Sequence, residues 1–210
     1  YGEQLDGADL PVDPWLRKSA AARNLIGDVG RGLGGRAARV VLFLPPEMMR
    51  AYSAWSAAAL SADEAARLPQ YLLARQVSDD GRALRLFHPN VTGVAWTAAW
   101  HDSFAASEWF LIEGGSHATS LGTGIAAQSR FAALANDVGL HAMVRRHLED
   151  VLRGRDGDAR LRFEYGRALA GLGDIVGARR ELERALVLQP GPRIETLARE
   201  GLAQLGRIPR

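Results

Sequence analysis

Residues 159–192 read ARLRFEYGRALAGLGDIVGARRELERALVLQPGP, and the architecture of the C-terminal part turns on them. Two helical periods lie back to back. Leu161, Tyr165, Ala168, Leu169 and Leu172 recur at helical spacing over about Arg160–Gly171. Ile175, Ala178, Leu182, Ala185, Leu186 and Leu188 do the same over about Ile175–Leu188. Gly171 and Gly173 break the first period, Asp174 stands where it can cap the second, and Pro190 and Pro192 stop it. A link this short predicts an antiparallel helix pair.

Small residues (Gly166, Ala178 and Ala185) stand where the two helices would cross closely. On these residues the stretch is similar to the tetratricopeptide repeat, a helix–turn–helix unit of about 34 residues. Gly166, Leu169, Ala178, Leu182, Ala185 and Pro190 match that family's small, large, small, large, small and proline positions in order. Leu182 replaces the usual aromatic residue, and Arg162 occupies the usual tryptophan position. A single repeat cannot bury its own apolar face, so neighbours are expected. One period back, Ala132, Ala135, Val144, Leu148 and Val151 keep the size pattern without the glycine and proline. They give a degenerate earlier repeat over Ile125–Gly139 and Leu140–Gly154. One period on, Ile194, Leu197, Gly201, Leu202 and Leu205 describe a single closing helix. The resemblance covers about Ile125–Gly206. It implies protein–protein interaction through a concave groove lined by the first helix of each repeat. Arg130, Leu134, Arg162, Glu164, Arg167 and Ala170 are the groove residues by helix facing.

Outside this region the chain reads as a small α+β domain. Ala38–Leu44 (ARVVLFL) is an apolar run that predicts a strand buried on both faces. Further strands are expected over Ala83–Phe87, Val91–Trp100 and Glu108–Glu113, with short connections that predict a mainly antiparallel sheet. Amphipathic helices are expected over Trp15–Val29 and Glu47–Leu60. A capping box at Ser61 and Glu64 starts another helix to about Leu68, and Tyr71–Arg75 continues it. Tyr1–Pro14 is acidic and turn-rich, either a disordered terminus or a strap along a partner. The expected division is therefore residues 1–37 (arm, helix and glycine-rich loop), 38–124 (α+β domain) and 125–210 (tetratricopeptide-like helical domain).

Composition narrows the function classes. No cysteine is present, which excludes disulfides, thiolate metal sites and a cysteine nucleophile. Residues 1–124 hold 11 basic and 13 acidic groups, and residues 125–210 hold 15 and 11. The tail's basic excess is interleaved with acids, as in Arg179, Arg180, Glu181, Glu183 and Arg184. Such mixing reads as a solvated, salt-bridged face and not as a nucleic-acid footprint. No run of 18 or more apolar residues occurs, so no transmembrane helix is expected, which leaves room for peripheral or lipid-anchored attachment. The chain starts at Tyr1 without methionine, so a processed or trimmed start is expected. Twenty-five of the 26 basic residues are arginine, which points to a GC-rich bacterial source; the absence of cysteine fits its periplasm or cell envelope slightly better than its cytoplasm.

Three constellations are candidates for chemistry. His101-Asp102-Ser103, with Glu113, Ser116 and His117, holds the residue types of a hydrolytic relay but lacks the G-x-S-x-G elbow. The five histidines show no H-E-x-x-H or i,i+4 pairing, so no metal is expected. The glycine-rich stretches 30–35 and 114–124 lack the lysine and spacing of phosphate loops. If the second held an anion at the start of a helix, Ser120 and Thr123 would be its donors. The reading favoured is a non-catalytic adaptor or accessory subunit of a larger assembly, without a cofactor. The alternatives are a hydrolytic enzyme in the α+β domain, or a small-ligand sensor built on Tyr52, Trp96, Trp100 and Trp109.

Overall fold

The computed structural model describes residues 14–45, 81–97, 100, 102–113, 117–154 and 157–207. The N-terminal arm, the helices expected between residues 47 and 75, and Tyr52, His101 and Ser116 lie outside the described residues. The chain forms two compact units, residues 1–120 and 121–210.

In the first unit, helix α1 (Pro14–Leu33) lies on a four-stranded sheet of β1 (Ala38–Phe43), β2 (Val91–Thr97), β3 (Glu108–Glu113) and β4 (His117–Gly122). Ala21, Leu25, Val29 and Leu33 recur every fourth residue and are all buried, which is the stripe an amphipathic helix lays on a core. Leu25, Val29 and Leu33 pack with Val40, Leu42, Phe110 and Ile112 from one face of the sheet. The helix outruns its expected end at Val29 because Gly30 and Gly32 are contact points. A Cβ on Gly30 would meet the His88 ring at 2.3 Å, and one on Gly32 would meet Phe110 at 2.5 Å. The helix stops only at Gly34 and Gly35, whose φ values of 55° and 81° favour glycine.

The strand order is β2-β1-β3-β4. β1 is central and runs parallel to both β2 and β3, which corrects the expectation of a mainly antiparallel sheet; the sheet as a whole is mixed. The short stretch between β2 and β3 does not join neighbours. It carries the chain past β1, through a 3₁₀ turn at Asp102–Phe104, to the other side. The burial of Val40, Val41, Leu42 and Phe43 on alternate faces is what a central parallel strand requires. Two further elements differ from expectation. Residues Arg82–Phe87 form a short helix, α2, which buries Leu84 and exposes Leu86 and Phe87. Residues 117–122, within the glycine-rich stretch 114–124 and not among the expected strands, form β4.

Among the described residues, the second unit holds five helices: α3 (Gly124–Asp137), α4 (His141–Gly154), α5 (Ala159–Gly171), α6 (Ile175–Val187) and α7 (Pro192–Leu205). Each packs on its chain neighbour or next neighbour: α3 on α4 and α5, α4 on α5, α5 on α6, and α7 on α6 and α5. Asp158 caps α5 by accepting from the amides of Arg160 and Leu161, and Asp174 caps α6 by accepting from Gly177. Helices α3 and α5 end in the same way. Gly139 and Gly173 take φ values of 78° and 82°. The amides of Gly139 and Leu140 then return to Asn136 and Ala135, and those of Gly173 and Asp174 to Ala170 and Leu169. The ends of α3, α5 and α7, at residues 137, 171 and 205, are 34 residues apart, as are the starts of α4 and α6, at 141 and 175. Gly166 forms a notch in α5 that takes Leu182 of α6, where a Cβ would stand 2.9 Å from the leucine.

Candidate functional site

A chain of polar side chains joins α3, α4 and α5. His141, at the start of α4, packs its ring on Gly171 and meets Asn136 Oδ1 through Nδ1 at 3.1 Å. Asn136 Nδ2 donates to both the backbone oxygen and Oε2 of Glu164, each at 3.0 Å. Arg167 donates to Glu164 Oε2 at 3.1 Å and to Asp137 Oδ1 at 2.7 Å. Burial pushes the Glu164 carboxyl up, and hydrogen bonds from Asn136 and Arg167 work the other way. Burial also works against the Arg167 charge, but Asp137 and Glu164 more than offset it and hold its pKa up. The outcome is a guanidinium fixed at the surface by two carboxylates, one buried and one exposed.

The groove residues read from the sequence divide on this geometry. Glu164 and Arg167 belong to the network, with half-buried Ala170 on the next turn of α5. Arg130 is exposed and Leu134 half-buried on α3, and spacings of four and three residues align them with Asp137. Arg162 stands apart. Its side chain is 9% exposed and donates from Nη1 to Glu181 Oε2 of α6 at 2.6 Å, with the Glu181 side chain 5% exposed. Glu181 Oε1 accepts from Arg180 Nε at 3.2 Å. Beside this pair, Tyr165 donates its hydroxyl hydrogen to Glu149 Oε1 of α4 at 3.1 Å, and Arg145 donates to the same oxygen at 2.8 Å. The Arg145 bond leads in lowering the Glu149 carboxyl; burial and then Glu149 raise the Tyr165 phenol. Asn136, Asp137 and Glu149 were not among the residues singled out from sequence; Tyr165 was read only as part of an apolar helical period, and Glu181, which is buried, as part of a solvated charged face. The available signal was position: residues 136 and 137 occupy the last turn of a helix just before its stop glycine.

The candidate chemistry of the first unit is arranged otherwise. His117 Nδ1 meets Asp28 Oδ2 at 3.1 Å, and its Nε2 meets Asn24 Nδ2 at 3.3 Å. A hydrolytic relay keeps that second nitrogen for the nucleophile, whereas here Asn24 takes it. Asp28 also accepts from the Ala118 amide at 3.0 Å. Burial opposes the Asp28 charge, but the Ala118 and His117 hydrogen bonds and Arg31 lower its pKa overall. These contacts tie β4 to α1. His88 Nε2 lies 2.8 Å from the Ile26 oxygen in the notch left by Gly30, so the first glycine-rich stretch is a packing surface. Ser120, in β4, lies against Gly32. Trp109 is buried, stacks on Trp100 at 3.8 Å and donates to the Phe104 oxygen at 3.0 Å. Phe43 meets both tryptophans edge-on. Among the described residues, no group of three or more His, Asp or Glu side chains is placed to hold a metal, and no helix is long and apolar enough to cross a membrane. No family model, curated protein or solved structure matches the chain.

Proposed function

We propose that the chain is a non-catalytic interaction module, an adaptor or accessory subunit that docks a protein partner on the face shared by α3 and α5. The observation that carries this reading is the Asn136–Glu164–Arg167–Asp137 network. It holds a partly exposed arginine in place before any partner arrives, which lowers the ordering cost of a contact there. Arg130, Leu134 and Ala170 extend the face along both helices. The 34-residue spacing of helix ends and the matching glycine stops at Gly139 and Gly173 support a tetratricopeptide-like array, in which the first helices of the repeats face a partner.

The test is capture of a stoichiometric partner from extract of the chain's own source, with membranes gently solubilised, read by mass spectrometry. The wild type should retain the partner, and an Arg130→Glu/Arg167→Gln variant should lose it while keeping its far-UV spectrum. Failure to retain any partner, together with an intrinsic turnover by the purified chain, sinks the reading.

A further inference from the structure

A second surface of the helical unit has a different chemistry. An open cleft of about 380 Å³ lies between α4, α5 and α6, and no residue of α3 lines it. Arg153, Arg162, Arg180, Tyr165, Glu149 and Glu181 form most of its wall. Both carboxylates are committed within the protein: Glu181 to Arg162 and Arg180, and Glu149 to Arg145 and Tyr165. Two of the arginines are not fully committed. Arg180 is 71% exposed and spends only Nε, on Glu181. Arg153 is 77% exposed and uses Nε on the Glu149 backbone oxygen and Nη2 on Asp150. Among the described residues, both Nη groups of Arg180 and Nη1 of Arg153 make no bond within the protein. The wall therefore carries a positive excess on exposed guanidiniums, above a floor whose charges cancel.

We propose that this cleft is an oxyanion site, which takes a carboxylate or phosphate group between Arg153 and Arg180 above the Arg162–Glu181 pair. A guanidinium presents parallel N–H donors that match two oxygens of either group. Glu181 fixes the Nε of Arg180, so that arm is partly ordered before the ligand binds. The cleft is several times larger than one such group, so the natural ligand carries its oxyanion on a larger body. This inference shares only α5 with the docking face, uses other residues of it, and does not depend on that reading.

Titration of the full ¹⁵N-labelled chain with inorganic phosphate, and separately with citrate, tests it, with ionic strength held constant by chloride because screening would mimic competition. Saturable shifts are expected at the amides of residues 149–153, 162, 165 and 180–181. Half-saturation should fall on the order of 1–10 mM, the scale of two charge-assisted contacts. Arg153→Ala and Arg180→Ala should each weaken binding about tenfold. Arg193→Ala, which removes an exposed arginine of α7, should change nothing. Binding of either probe with this pattern supports the site; phosphate alone assigns it to tetrahedral oxyanions, and both probes assign it to oxyanions in general. Shifts that fail to saturate with either probe, or that fall equally in Arg193→Ala, overturn it.

Discussion

Replacing Glu181 by leucine removes the carboxylate that meets Arg162 at 2.6 Å in a place where water screens little. The two side chains are 9% and 5% exposed. Removing one partner of a pair so placed leaves a buried charge and costs about 3–5 kcal/mol. The accompanying loss of the Arg180 contact adds little, because Arg180 is mostly in solvent. An Arg162→Met/Glu181→Leu double variant removes both charges and keeps most of the volume, and should return to within about 1 kcal/mol of wild type. Urea unfolding followed by far-UV circular dichroism reads the helical unit, since its residues are mostly helix. All five tryptophans lie between residues 15 and 109, so their fluorescence reports the first unit and serves as the internal control. With a slope of about 1–3 kcal/mol/M, the single variant should lower the helical midpoint by on the order of 1–5 M. A shift in Glu181→Leu below about 0.3 M, or a double variant no more stable than the single one, would refute the assignment of a buried, mutually compensating pair.

Gly30→Ala should destabilise the first unit by about 1–3 kcal/mol, read by tryptophan fluorescence, because its Cβ would meet the His88 ring at 2.3 Å; in an open helix the same change would stabilise by up to about 1 kcal/mol, so the sign is diagnostic. Gly139→Ala and Gly173→Ala should each cost the helical unit about 1 kcal/mol, because both positions hold positive φ with open space around them. Burial pulls the His147 imidazole down from 6.5 to about 4, so the unfolded chain binds the proton more readily. The His147 contribution to helical-unit stability should therefore be full above pH 6.5 and decline by about 3 kcal/mol as pH falls to about 4, a slope that His147→Leu removes. Glu164 acts in the opposite sense: its raised pKa means that stability is lost as pH rises above its ordinary value of 4.5, and Glu164→Gln should remove that component from urea midpoints measured against pH.

The helical hairpin was legible from residues 159–192 because its signals are local. Asp174 caps within three residues of itself, Gly173 stops a helix by its own φ, and the apolar period runs uninterrupted between them. The sheet was only half legible. The apolar run at Val40–Phe43 announced a strand buried on both faces, but nothing local says which strands flank it, and the neighbours β2 and β3 are separated from it by tens of residues. Arg82–Phe87 misleads for a different reason. Six residues hold too few turns for period 3.6 to separate from period 2, and the helix buries only Leu84. In the polar network of α3 and α5, Glu164 and Arg167 are three residues apart on α5, a spacing the sequence displays. Asn136 and Asp137 were not legible, because their partners lie 28 and 30 residues away.

Arg162 carries the sharper lesson. Its charge invites an outward placement, yet the side chain is turned inward and is 9% exposed. The inward placement holds because Glu181 stands across from it on α6. The same positions one period earlier are Gln128 and His147, again polar and again on the two helices of one hairpin, with Phe131 packed edge-on to His147 where Tyr165 follows Arg162. Each hairpin thus sets polar groups inside its helix pair. The Gly166 notch that takes Leu182 opposes a slide of one helix along the other, and the buried Arg–Glu pair opposes it further, because a slide would part the charges inside the protein. Charge turned inward at Arg162 and Glu181 is satisfied within the helix pair, and the two proposed contacts of this protein rest on the charges that remain outside: Arg130 and Arg167 on one face, Arg153 and Arg180 on the other.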